Sequence, residues 1–170
     1  YIYLPVLIVE TSNMPIENEI MQASFASEQE KLLVNLLFTC GWVESYQMRF
    51  FKKYDLSTQQ YNVLRILRGQ KGEAIPITSV SQRMIDRMSN TSRLVDKLCN
   101  KNLVERTTCK MDRRAVDLKI TTSGLDLLAI IDEGISSSQG ELINISDEDL
   151  SELNRLLDKL RDKSNYEHTK

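Results

Sequence analysis

Histidine is almost absent from this sequence. The single histidine, His168, lies close to the C-terminal end, where no histidine-based catalytic triad or metal site of the usual kind can be assembled around it. The six glycines form no phosphate-binding loop, because Gly69 and Gly72 lack the other residues of any such motif. We therefore expect no enzymatic activity, no metal and no other cofactor.

Cysteines and long apolar runs are also scarce. Cys40, Cys99 and Cys109 are an odd number without paired spacing, which is not typical of a disulfide framework and predicts a cytoplasmic location. The sequence has no run of about 18 apolar residues, so we expect no membrane-spanning segment.

Cys40 is expected to be a small buried hydrophobic residue. Lys110 would favour the thiolate of Cys109, which makes Cys109 a candidate redox-sensitive residue.

The charge of the chain is unevenly distributed. The whole chain carries a net charge of −2, but residues 83–119 contain ten Lys and Arg against five Asp and Glu. That segment therefore carries +5 and the remainder −7. One basic segment in an otherwise acidic protein is typical of a surface that binds a polyanion such as nucleic acid.

The basic segment contains the strongest functional pattern in the chain. Within residues 78–121, a short helix is followed by a turn and by a second helix over Ser89–Lys101 that begins with short polar residues. Such side chains at a helix N-terminus suit base edges and phosphates, and the helix dipole also favours a phosphate there. The second helix has an apolar face of Leu94, Val95, Leu98 and Leu103, and an opposite face of Asn90, Arg93, Lys97 and Lys101.

A predicted hairpin follows this second helix. Residues 103–109 and 115–121 are rich in β-forming residues, and the second run alternates cleanly between apolar and polar positions. A cationic tip joins them and suits a DNA minor groove, whose negative potential attracts arginine. Helix, turn, helix and hairpin in this order are typical of a winged helix-turn-helix, which binds duplex DNA with its second helix in the major groove. The tip carries Lys110, Asp112, Arg113 and Arg114.

Other interpretations of this segment remain open. Taken separately, a polar helix face and a charged hairpin tip are most often simply solvated. Winged helices also serve as protein-docking modules, and two terminal helices could then be the interface for a partner. A docking module has no need of a cationic tip beside a polar helix start, so we favour DNA binding.

Helices are predicted on the N-terminal side of this segment. Residues 27–54 form a long helix whose apolar stripe is wider than one small domain requires, which indicates dimerisation. Ser57, with Gln60 three residues later, forms a capping box for the next helix, which ends at Gly69.

Further elements are indicated within and after the segment. Ile75 and Ile77 are expected to add a short third strand beside the hairpin. Thr78 or Ser79 is expected to cap the short helix, whose apolar side is Val80, Met84 and Ile85. Thr121 is expected to cap a helix over about 122–137 or beyond, and Ser146 to cap the last helix, whose first turn is acidic. We predict an N-terminal arm over 1–26, a helical dimerisation region over 27–54 and 122–165, a winged helix-turn-helix over 55–121 and a polar tail over 166–170.

The order of these motifs resembles that of the MarR family of bacterial transcription regulators. The resemblance extends from about Leu32 to Leu160, and its most specific part is D-R-R-x-V-x-L-x-I-T-x-x-G at Asp112–Gly124, which follows the L-V-E-R strand after residues 107–111. It implies a dimer of winged helices held together by terminal helices. It also implies that Asp112 orients Arg114, which enters the minor groove. In the family, small aromatic ligands often bind between the dimer helices and the winged helix, which makes candidates of Trp42, Tyr46, Phe50 and Tyr61.

Together these observations predict a mostly α fold with a small β-hairpin wing. The predicted function is a homodimeric, sequence-specific, DNA-binding transcriptional regulator, more often a repressor, that reads a pseudo-palindromic operator. A small aromatic ligand is a candidate effector that would release it, although aromatic residues at helical spacing are more often part of a core. The alternatives are a winged-helix protein-interaction module or a thiol-based redox-sensing regulator. The predicted DNA-binding residues are Ser79, Ser89, Asn90, Thr91, Ser92, Arg93, Lys97, Arg106, Lys110, Asp112, Arg113 and Arg114.

Overall fold

The computed structural model describes residues 14–108 and 116–162. Helices dominate these ranges, and three short strands form one antiparallel sheet. The predicted fold class is confirmed. The helices are α1 (Ile16–Glu19), α2 (Glu28–Lys52), α3 (Thr58–Arg68), α4 (Ile77–Arg83), α5 (Thr91–Asn100), α6 (Thr122–Leu142) and α7 (Asp147–Arg161). The strands are β1 (Ile75–Pro76), β2 (Val104–Thr108) and β3 (Val116–Ile120).

The chain divides into two compact units, residues 1–45 and residues 46–170. These units do not test the predicted boundaries of the dimerisation region (27–54 and 122–165) and the winged helix-turn-helix (55–121), which stay predictions. None of the helices in the described ranges is long and apolar enough to cross a membrane.

The first unit contains α1 and the beginning of α2. The helix α1 was not expected from the sequence, which suggested only an arm there. Ile16 is buried, and Glu17 forms an ion pair with Lys31 of α2 at 2.6 Å. The expectation that Cys40 is buried was wrong, since this cysteine lies on the exposed side of α2. Within the described residues, Leu32, Leu33 and Leu37 of its apolar stripe are exposed.

The core of the second unit lies beneath α3 and α5. The predicted capping box is present, with the Ser57 hydroxyl accepting from the Gln60 N–H at 3.1 Å and the Gln60 side chain accepting from the Ser57 N–H at 2.9 Å. Gly69 ends α3, as predicted. The fully buried side chains are Val63, Leu64 and Leu67 of α3, Val80 of α4, Val95 and Leu98 of α5, Leu118 of β3, and Leu128 and Ile131 of α6.

The sheet places β3 between the other two strands, in the order β1-β3-β2. Ile75 pairs with Leu118 on one side of β3, and Val104 pairs with Ile120 on the other. The predicted third strand is confirmed at Ile75, whereas Ile77 begins α4 instead.

Two details of α4 differ from the expectation. The helix begins at Ile77 with Pro76 as its N-cap and without a side-chain cap, so the prediction that Thr78 or Ser79 caps it was wrong. Proline suits this position because its missing N–H is not needed at a helix start. Val80 and Met84 are buried as expected, but Ile85 is exposed.

The C-terminal helices begin where the sequence indicates. The Thr121 hydroxyl accepts from the Gly124 N–H at 3.1 Å, and the Ser146 hydroxyl accepts from the Asp149 N–H at 3.1 Å. The serine-rich stretch near Gly140 does not end α6, which continues to Leu142. No residue of α7 is buried. The leucines along α7 therefore lack a partner surface within the described part of one chain.

Candidate nucleic-acid interface

The start of α5 presents a polar edge fixed by its own cap. Asn90 is the N-cap, and its Oδ1 accepts from the Arg93 N–H at 3.1 Å. Ser92, Arg93 and Lys97 are exposed on the same helix, whose other face is held by Val95 and Leu98 in the core. The structure therefore brings most of the predicted helix residues together on one accessible face.

Thr91 does not lie on this face. It is only 6 % exposed, and its Oγ1 is buried without a hydrogen-bond partner among the described residues. The Thr91 side chain is therefore buried at the start of α5, and its predicted DNA contact stays a prediction. Ser79 lies half-buried within α4.

Two of the predicted cations are already engaged by carboxylates. Arg106 of β2 forms an ion pair with Asp96 of α5, with Nη2 2.8 Å from Oδ1. Lys101 forms an ion pair with Asp55 at 2.8 Å and also donates to the Asp55 carbonyl oxygen. These contacts join the base of the hairpin and the loop before α3 to α5, so both cations help to position the helix.

A groove lies beside the C-terminal half of α5. It has a volume of about 390 Å³. Lys52 of α2 and Lys97 and Lys101 of α5 line it, together with Asp55. Because Asp55 pairs with Lys101, the ammonium groups of Lys52 and Lys97 extend the positive charge of α5 away from its N-terminus.

The turn between α4 and α5 is closed by Asp86. Its Oδ1 accepts from the Met88 N–H at 3.0 Å, and its Oδ2 accepts from the Ser89 hydroxyl at 2.7 Å. These two hydrogen bonds, the Ser89 bond first, hold the pKa of the Asp86 carboxyl below its ordinary value. Ser89, predicted to contact DNA, is therefore a partner within the turn. The signal for this turn is an Asp three residues before a Ser.

The predicted hairpin tip lies outside the described residues. This applies to Cys109, Lys110, Asp112, Arg113 and Arg114, whose predicted roles stay predictions.

A second concave site lies between the end of α2 and the middle of α6. Its volume is about 480 Å³, and Tyr46, Phe50 and Tyr54 supply its aromatic side chains. The Tyr46 hydroxyl donates to the Ser138 carbonyl oxygen at 2.8 Å and accepts from the Ser138 hydroxyl at 3.0 Å. The absence of a side chain at Gly134 leaves room for the Tyr54 hydroxyl, because a Cβ at Gly134 would lie only 3.1 Å from it.

Two cations line the same cavity, and sequence reasoning missed both. The Arg49 guanidinium lies 6.0 Å from the centre of the Tyr46 ring, and the Lys53 ammonium lies 5.8 Å from that of Phe50. Arg49 lies in the last turn of α2 and Lys53 directly follows the helix; their spacing of four residues is the signal that was available.

Two of the four residues predicted to line a ligand pocket lie elsewhere. The Tyr61 ring is buried and stacks on Phe51 at a centroid distance of 4.2 Å, so it belongs to the core. Trp42 belongs to the first unit and is half exposed. Only Tyr46 and Phe50 are brought together at the cavity.

Comparison with known proteins agrees with this geometry. The sequence model of the MarR family matches residues 56–116. The HTH-type transcriptional regulator PecS of Dickeya dadantii (strain 3937) is 30% identical over 112 residues, which cover 64% of this chain and 67% of PecS. The chain belongs to the MarR family of transcriptional regulators.

Solved structures of MarR proteins share the fold. A MarR transcription factor from Planctomyces limnophilus superposes with a TM-score of 0.63 at 29% identity, covering 79% of this chain and 98% of that one. A mutant E. coli MarR in complex with operator DNA gives 0.70 at 21% identity, covering 82% and 100%. The S. aureus MepR–DNA complex gives 0.64 at 19% identity, covering 74% and 92%.

Cys99 has an environment unsuited to thiol chemistry in this MarR-family chain. It is half-buried in α5, and burial raises the pKa of its thiol, while the nearby Arg106 acts in the opposite direction. A raised pKa leaves little reactive thiolate at neutral pH.

Proposed function

We propose that this MarR-family regulator is a homodimer that binds an operator in duplex DNA through α5. The observation that carries the proposal is the division of α5 into two faces. Val95 and Leu98 are fully buried, while Ser92, Arg93 and Lys97 are exposed on a helix fixed by its Asn90 cap. A rigidly held helix with an exposed polar start is what insertion into a major groove requires.

The residues have distinct roles in this proposal. Asn90, Ser92 and Arg93 contact base edges, because their short or forked polar groups match the patterns displayed in the major groove. Lys97 contacts the phosphate backbone, and Arg106 does so when it is not paired with Asp96. In the hairpin tip, Lys110 and Arg113 bind phosphates, and Arg114, oriented by Asp112, enters the minor groove.

Dimerisation explains the exposed apolar faces. Leu33 and Leu37 on α2 and Leu153 and Leu160 on α7 are large, exposed hydrophobic residues. A twofold dimer that covers such faces would place two α5 helices about 34 Å apart, one turn of DNA, and would therefore read a pseudo-palindromic operator. The proposed dimerisation region is residues 27–54 and 122–165, and the proposed DNA-binding domain is 55–121.

The cavity beside α6 supports a ligand-controlled repressor. Its aromatic walls and its two cations, Arg49 and Lys53, suit a small aromatic acid. The cavity is formed by α2 and α6, both of which belong to the proposed dimerisation region. Occupation of this site would then alter the spacing of the two α5 helices and release the operator.

The test is fluorescence anisotropy with a labelled duplex from immediately upstream of the protein's own gene, against random duplex of equal length. We expect preferential binding that weakens steeply as salt rises. Arg93→Ala is expected to weaken specific binding by about 1–3 kcal/mol. Arg161→Ala, which removes a cation from the exposed end of α7, is the matched control and should bind as wild type.

Equal binding to both duplexes would contradict operator recognition at this site. Binding that is insensitive both to salt and to Arg93→Ala would favour the protein-docking interpretation of the winged helix instead.

A further inference from the structure

Two large hydrophobic side chains are almost fully exposed in the turn between α4 and α5. Ile85 is 88 % exposed and Met88 is 94 % exposed. Burial of either side chain would stabilise a protein, so their exposure leaves apolar surface available to a partner. The core beside the turn is nevertheless filled, because Met84 and Val80 occupy it.

The turn holds these side chains in a defined position. The Ile85 N–H donates to the Asn62 Oδ1 of α3 at 3.0 Å, and the Met88 N–H donates to the Asp86 Oδ1 at 3.0 Å. The backbone N–H of Ser89 also donates to the Asp86 carbonyl oxygen at 3.2 Å. The backbone of both hydrophobic residues is therefore already fixed by hydrogen bonds. Binding of a partner by their side chains would cost no further backbone conformational entropy.

The surroundings indicate which partner covers them. The exposed cations Arg83, Arg87 and Arg93 flank the turn, and Asp86 between them has its two carboxylate oxygens occupied by hydrogen bonds within the turn. Met88 also lies two residues before the Asn90 cap, so the apolar pair is continuous with the polar edge of α5. An apolar patch within a cationic rim, next to base-reading side chains, fits nucleic acid better than an apolar protein surface.

We propose that Ile85 and Met88 contact the C5-methyl groups of thymines in the operator. The inference rests on the proposed function, since it requires α5 to enter the major groove. There the thymine methyl is the one apolar group that a base pair displays, and it distinguishes T·A from C·G by contact alone. The two residues would add a preference for thymine beside the positions read by Asn90, Ser92 and Arg93.

The experiment removes the methyl group without changing base pairing. A duplex selected by the wild-type protein from a random library is prepared with thymine and again with deoxyuridine at every thymine position. We expect the deoxyuridine duplex to bind about fourfold more weakly for each contacted methyl group. The double variant Ile85→Ala/Met88→Ala should bind the two duplexes equally, because both contacting side chains are truncated.

A matched control separates this effect from general loss of surface. Met21 is also 94 % exposed but lies in the first compact unit, so Met21→Ala should retain the full discrimination of the wild type. Thermal unfolding of both variants should match wild type, since none of the three side chains is buried.

The outcomes distinguish the inference from the proposed function. Equal binding of the two duplexes by wild type, with specific binding intact, overturns the thymine contact and leaves operator recognition standing. Equal discrimination by wild type and the double variant assigns the methyl contacts to other residues and also overturns it. Absence of any selected duplex overturns both.

Discussion

Asp96 of α5 and Arg106 of β2 form an ion pair, with Oδ1 2.8 Å from Nη2. Both side chains are more than a third exposed, so the pair adds only about 0–1 kcal/mol to stability. Its more important effect is on charge, because it neutralises an arginine at the base of the proposed DNA-binding hairpin. A DNA phosphate and the Asp96 carboxylate compete for the same guanidinium.

Asp96→Ala is therefore expected to tighten DNA binding. Released Arg106 would gain one phosphate contact, which steepens the slope of log K against log salt by about 0.9. Anisotropy titrations over a range of salt concentrations measure this slope. In an Arg106→Ala background the same substitution should leave the slope unchanged, and an equal steepening there would show that Arg106 is not the residue released.

Gly124 is expected to be irreplaceable, although it lies in a helix. A Cβ at this position would collide with the Leu103 carbonyl oxygen and would lie 2.7 Å from Ile120 Cγ1. Because one of these neighbours is backbone, Gly124→Ala should destabilise the fold by about 1–3 kcal/mol or more, measured by urea unfolding.

Gly140 in the same helix provides the control for this substitution. Among the described residues, a Cβ there meets nothing within 4 Å, so Gly140→Ala should stabilise α6 by about 0.5–1 kcal/mol. If both substitutions changed stability in the same direction, the close packing at Gly124 would not be the cause.

Ser89→Ala is expected to raise the pKa of Asp86 towards its ordinary value. The largest cause of the lowered pKa is the hydrogen bond from the Ser89 hydroxyl, and the Met88 N–H would remain as the second. A carboxyl whose pKa is lowered on folding stabilises the protein above its unfolded pKa, and this contribution is lost as pH falls through the folded value. Carboxyl NMR titration measures the shift, and an unchanged Asp86 pKa in the variant would contradict the assignment.

Lys53→Ala is expected to weaken binding of a small aromatic acid at the cavity beside α6. The Lys53 ammonium lies beside the Phe50 ring, where it can pair with a carboxylate whose ring packs on the aromatic wall. Calorimetric titration with benzoate measures the loss. Lys52→Ala is the matched control, since Lys52 lines the groove beside α5 and not this cavity. Equal affinity in all three proteins would place the ligand elsewhere.

The sequence predicted those helix starts at which a side-chain cap and its N–H partner are close together in the chain. The capping box at Ser57 and the caps at Thr121 and Ser146 each join a hydroxyl to an N–H three residues later, so the sequence contains both partners. The two faces of α5 were predicted for the same reason, because helical periodicity alone separates Val95 and Leu98 from the polar positions.

The features that were missed depend on distant partners. The pairing of Arg106 with Asp96, the burial of Thr91 and the stacking of Tyr61 on Phe51 are set by how the elements pack. Ile85 continued the apolar spacing of α4, but the helix ends at Arg83 and the following turn directs Ile85 outward. Periodicity has no meaning beyond the end of a helix, and that end was not evident from the residues.

Thr121 is the single residue between the last residue of β3 and the first residue of α6. Its hydroxyl accepts from the Gly124 N–H of α6 and donates to the Asn102 carbonyl oxygen at 2.7 Å. Thr121 is therefore hydrogen-bonded both to α6 and to the loop after α5. A one-residue connection that is hydrogen-bonded on both sides couples the orientation of β3 to that of α6. If the hairpin binds DNA as proposed above, a bend or twist of the DNA that tilts the hairpin would also change the direction of α6.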